Sequence, residues 1–124
     1  MSRKRVLARI IMWAAIVGAV AMALLPQPPH VAIDRFGDKF EHMFAFAVMS
    51  LLAAIAHPET PLARTAERLS FLGALIEVFQ SIPALHRDCD VRDWIADTIS
   101  IAVVLTLYAV VTRARRQRAV SGAT

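Results

Sequence analysis

Residues 69–83 read Leu-Ser-Phe-Leu-Gly-Ala-Leu-Ile-Glu-Val-Phe-Gln-Ser-Ile-Pro, an apolar run with one carboxylate inside it and a proline at its end. Glu77 lies six positions before Pro83, which is about 9 Å inward at about 1.5 Å per helical residue. A soluble amphipathic helix would gather such a group onto one polar face, but this run is apolar nearly all round. In a helix that crosses lipid, a charged side chain facing the acyl chains costs roughly 2.5–3.5 kcal/mol. Glu77 therefore has to face other helices and find a partner there, or take up a proton. The stretch predicts a membrane-crossing helix within a bundle.

Three further runs flank it. Val6 to Leu25 carries only Arg9, which can snorkel to the near interface, and ends at Pro26, Pro28 and Pro29. Phe40 to Ala56 stops at His57-Pro58, and Trp94 to Val111 runs into an arginine cluster. With flanking residues these predict helices over about 6–25, 40–56, 63–82 and 92–111, each near the length of roughly 20 residues that a span needs. The expected architecture is all-α, a four-helix transmembrane bundle forming one domain over residues 1–124.

Composition agrees. Hydrophobic residues make up 57% and charged residues 19% of 124, more apolar than a soluble domain of this size can bury. The formal charge of +4 is not laid out as a nucleic-acid surface: Arg3, Lys4, Arg5 and Arg9 precede the first run, and Arg113, Arg115, Arg116 and Arg118 follow the last. With the N-terminus inside, these eight together with Arg64 and Arg68 fall on the cytoplasmic side, against Arg35, Lys39, Arg87 and Arg92 outside. That asymmetry predicts both termini in the cytoplasm and a multi-pass protein of the cytoplasmic membrane. The first run with Ala21-Met22-Ala23 also has features of a cleavable signal peptide, but its length favours an uncleaved helix. Cys89 is the sole cysteine, so neither an intrachain disulfide nor a cysteine metal cluster is expected. No phosphate-binding glycine loop, zinc-protease motif or hydrolase nucleophile motif is present, and no cofactor is implied.

The acidic residues collect at one end. Asp34, Asp38, Glu41, Glu77, Asp88, Asp90, Asp93 and Asp97 map to the outer end with His30, His42 and His86, while only Glu59 and Glu67 map inside. Asp38 and His42 are four apart; Gly73, Glu77 and Gln80, and Asp93, Asp97 and Ser100, are spaced four then three. Each set forms one helix stripe. Singly, most have a plain explanation: acidic residues near helix N-termini, an interfacial Asp38-Lys39 pair, a close-packing Gly73. Three stripes at one membrane face predict a shared site.

Asp38-Lys39-x-x-His42, Gly73-x-x-x-Glu77-x-x-Gln80 with Pro83, and Arg87 with Asp93 and Ala96-Asp97-Thr98 together resemble the VanZ-like family. These are small bacterial multi-helix membrane proteins named for a member associated with teicoplanin resistance. The resemblance covers about residues 34–110 and departs from the family pattern at two positions, Asp97 for the usual Asn and Ser100 for the usual Gly. It implies a bacterial inner-membrane protein linked to the cell envelope, with no established reaction attached.

The stripes and the resemblance together give a ligand set of Asp38, Lys39, His42, Glu77, Gln80, Arg87, Asp93 and Asp97. Arg87 would grip an anionic group through its planar fork, and Glu77, Asp93 or His42 would accept protons. The expected partner is a membrane lipid or a lipid-linked envelope precursor at the outer leaflet. Intramembrane Glu and His also suit a proton-coupled transporter or channel, although Leu51 to Ala56 and Val103 to Val110 are apolar. A structural accessory subunit is the third reading. A divalent cation on Asp38, His42, Glu77 and Asp93 matches no metal-site spacing and is not expected.

Overall fold

The computed structural model describes residues 2–25, 32–85 and 89–123, with backbone alone over 32–39. Four helices follow in order: α1 (Arg3–Leu24), α2 (Ala32–Ala56), α3 (Leu62–Gln80) and α4 (Val91–Gly122), with a single 3-10 turn at Pro83–Leu85 before α4.

Local chemistry sets the boundaries. Ser2 caps α1 by accepting from Arg5 N–H at 3.3 Å. Arg3, Lys4 and Arg5 in the first turn oppose the helix dipole. α2 ends at His57-Pro58 in a tight turn, closed by Thr60 N–H to the His57 carbonyl at 3.1 Å. Pro61 then starts α3, where its missing N–H costs nothing. α3 stops at Ser81, ahead of Pro83, which cannot continue an α-helix. Asp90 caps α4, accepting from Arg92 N–H at 2.9 Å.

Two boundaries differ from the expected ones. α2 starts at Ala32, eight residues early, because the segment bearing Asp34 and Asp38 places acids near a helix N-terminus, where the dipole favours them. α4 continues through the arginine cluster to Gly122, since Arg, Gln and Ala are good helix formers and need not lie in lipid to stay helical.

The helices alternate up and down. α2 packs most extensively on α4 and α1, α3 packs on α4, and α1 touches α3 more sparingly. The contact faces follow helical spacing: Met49, Ala53 and Ala56 on α2; Leu69, Gly73, Ile76 and Gln80 on α3; Asp97, Ile101 and Leu105 on α4. A Cβ added to Gly73 would lie 3.4 Å from both the Phe46 and Trp94 rings, at the edge of ordinary van der Waals contact, so α3 packs closely on α2 and α4 at this level.

The polarity is inverted relative to a soluble bundle. Phe44 is 72% exposed, Val17 and Phe71 65%, and Leu107 60%, while Glu77 is 6% and Gln80 and Asp97 3% exposed. So much exposed aliphatic and aromatic surface is unusual for a soluble monomer, and two carboxylates, Glu77 and Asp97, are buried beneath it while Glu41, Glu59, Glu67 and Asp90 are exposed. α1 and α4 are long and apolar enough to cross a membrane; the apolar part of α2, Phe40–Ala56, is shorter. α3 carries Arg64, Glu67 and Arg68 in its first two turns and falls short as well.

Candidate functional site

Glu77 sits on the inner face of α3, one turn from its end. Its Oε2 accepts the Asp90 backbone N–H at 3.0 Å. Asp90 in turn caps α4, and its carbonyl accepts from Asp93 N–H at 2.9 Å. A carboxylate of α3 thus grips the first turn of α4, and Asp90 and Asp93 are close enough to act on it electrostatically. Cys89, exposed in the connection, has its thiol pushed above the ordinary value, first by partial desolvation and then by the Glu77 charge. The result is an acidic pole made by Glu77, Asp90 and Asp93.

Gln80 faces the other way. Its Nε2 donates to the Ala23 carbonyl at 3.0 Å, tying α3 to the last turn of α1. Ala23 is among the final residues of α1, whose carbonyls have no intrahelical donor. Gln80 supplies one.

Two cross-helix pairs set the heights. Ser70 and Thr98 hydroxyls meet at 2.9 Å between the antiparallel α3 and α4, and Ser100 Oγ donates to the Met43 carbonyl at 2.9 Å between the parallel α4 and α2. On that register Glu77 is level with Val91 and His42 with Ile99. Eight residues of α4 separate the two levels, about 12 Å along the axis. His42 is half-buried and makes no hydrogen bond or ion pair with a described residue. Asp97, buried on α4, lies between the two levels, opposite the Phe40 position of α2. Asp38 and Lys39 fall on described backbone near the Asp97 level. Arg87, with His30, His86 and Asp88, lies outside the described residues.

The expected site therefore divides. Glu77 and Asp93 come together, with Asp90 as an unforeseen third acid; Gln80 is turned to α1; His42 stands deeper. Also missed from sequence are Ser70, Trp94 and Thr98. Trp94 Nε1 donates to the Ser70 carbonyl at 2.9 Å, and the Ser70–Thr98 pair lies beside it. The four-residue spacing of Trp94 and Thr98 was the available signal. Among the described residues, no group of three or more His, Cys, Asp or Glu is arranged to hold a metal ion.

The chain matches no protein-family model, no curated protein and no solved structure.

Proposed function

We propose that this chain is a VanZ-like, four-pass protein of the bacterial cytoplasmic membrane, with both termini inside. We infer that its acidic pole receives the headgroup of a membrane lipid or lipid-linked envelope component at the outer leaflet. The observation that carries this reading is Glu77, a carboxylate 6% exposed in a bundle whose outer surface is apolar. It is held at the α3–α4 junction beside Asp90 and Asp93. Three neighbouring acids suit the hydroxyl or amine donors of a headgroup. The shorter apolar stretch of α2, Phe40–Ala56, fits this arrangement, because polar backbone at membrane depth is tolerated where protein buries it.

A structural role has its own support, since Glu77 and Gln80 each already hold a backbone group. A conducting path has less, because the buried residues toward the far pole, Ala53, Ala56, Ile101 and Leu105, are apolar apart from the hydroxyls of Ser50 and Thr65.

Reporter fusions after residue 60 and at the C-terminus should score as cytoplasmic, and fusions near residues 34 and 88 as external. An external C-terminus sinks the four-pass reading. For the site, thermal unfolding of detergent-extracted protein is followed as polyprenyl phosphate, phosphatidylethanolamine or phosphatidylcholine is added. A ligand of the native state raises the midpoint with its concentration. One of the first two should do so in wild type and in Asp97→Asn, and not in Asp93→Asn. Equal shifts in all three variants would leave only the structural role.

A further inference from the structure

The pole opposite Glu77 carries a second feature, which depends on the membrane reading above but not on the acidic site. Where α1, α3 and the 57–61 turn meet, a cavity of about 360 Å³ opens between the helices. Small-ligand sites start at about 300 Å³. Its wall is apolar, with Met12, Ile16 and Leu72 along the length and Trp13 beside them. Polar groups line it as well: His57 and Thr60 from the turn, and Thr65 and Arg68 from the first turns of α3.

The charges there are unequally satisfied. Arg9 donates to the Ala56 carbonyl at 3.2 Å and meets Glu59 Oε1 at 3.4 Å, and His57 Nδ1 lies 3.6 Å from the same oxygen. Glu59 is thus taken up by its neighbours and does not line the cavity. Arg68 has no hydrogen-bond or ion-pair partner among the described residues. A guanidinium lining a largely apolar slot matches a phosphate joined to an acyl chain. Basic pockets between helices on the cytoplasmic side are a recognised setting for anionic headgroups.

We propose that this groove binds an anionic glycerophospholipid of the inner leaflet, with its phosphate on Arg68 and Thr60 and one acyl chain along Met12, Ile16 and Leu72. The glycerol backbone would then lie near Trp13, which makes that residue a reporter.

The full chain carrying Trp94→Phe, so that Trp13 alone emits, is reconstituted in phosphatidylcholine vesicles containing brominated phosphatidylglycerol or brominated phosphatidylcholine. Trp13 quenching should favour the anionic lipid by about fivefold, the ratio expected from roughly one basic contact. Adding Arg68→Gln should bring the ratio close to one, as should Leu72→Phe, which fills the slot without touching charge. Replacing Arg3, Lys4 and Arg5 together by Gln should leave the preference in place. The proposal is overturned by equal quenching by the two lipids in the starting protein, by a preference that survives both Arg68→Gln and Leu72→Phe, or by one lost only in the triple variant, which would mark diffuse surface attraction. Absence of quenching by either lipid would instead remove the membrane reading itself.

Discussion

The two poles of the bundle solve the same problem, one with a neutral amide and the other with a cation. At each, a side chain remote in sequence supplies a donor to a carbonyl in the last turn of a helix. Gln80 reaches Ala23 at the end of α1, and Arg9 reaches Ala56 at the end of α2. Helix C-terminal carbonyls left bare within a membrane would be costly, since no solvent is there to satisfy them. The Gln80 pole is buried and otherwise acidic, with Glu77 closing the start of α4. The Arg9 pole is basic and more open, and its acid, Glu59, is exposed. A neutral amide serves where burial is nearly complete. A guanidinium serves where the contact is open, Arg9 and Glu59 being 32% and 60% exposed. The comparison teaches that burial decides which chemistry can do the same task.

Substitutions at the two poles should therefore differ in cost. The largest effect is expected for Glu77→Ala, which leaves the Asp90 N–H without its acceptor and frees the start of α4. The bond is part-buried and its acceptor a carboxyl group; its loss costs about 1–3 kcal/mol, and a lowered midpoint in detergent-extracted protein would register it. Glu77→Gln keeps an acceptor and should recover most of the loss; no recovery would mean that the charge, rather than the hydrogen bond, holds the pole.

Gln80→Ala comes next. One neutral hydrogen bond contributes about 0.5–1.5 kcal/mol, and its removal should loosen α1 from α3. Faster amide exchange in the last turn of α1 would show this directly. An unchanged exchange rate there would break the parallel between the poles.

Arg9→Gln should cost less, because its Glu59 contact is largely exposed and its Ala56 hydrogen bond only part-buried. If it proves as damaging as Glu77→Ala, the Arg9 pole is more enclosed than its exposure indicates.

The smallest effect is on acid stability. The Glu59 carboxyl is held below its ordinary range, first by a hydrogen bond from its own backbone N–H and then by Arg9 and His57, with desolvation opposing. A carboxyl lowered on folding adds stability that is fully present above its unfolded value and disappears as pH falls through the folded one. Glu59→Gln should therefore flatten the acid limb of the stability curve slightly and leave stability near neutral pH almost unchanged. A larger change at neutral pH than in acid would contradict this origin.

Much of the molecule could be read along the chain. Four helices, their stops at prolines and at His57-Pro58, and an inward-facing Glu77 follow from apolar runs and local backbone chemistry, because these act over a few residues. The same runs explain why the surface is apolar and the buried polar groups face inward. What spacing could not supply is axial height. Residues three or four apart share a helix face, which fixes direction around the axis but not the level at which one helix meets another. That level is set by side-chain interlocking, as at Gly73 against Phe46 and Trp94, and by the Ser70–Thr98 and Ser100–Met43 contacts. Hence the stripes were legible, while the tertiary structure alone decided that Glu77 meets Asp90, that Gln80 turns to Ala23, and that His42 stands apart. A side chain at a helix end takes whichever unpaired backbone group the packing brings to its level, and no local pattern records which one that will be.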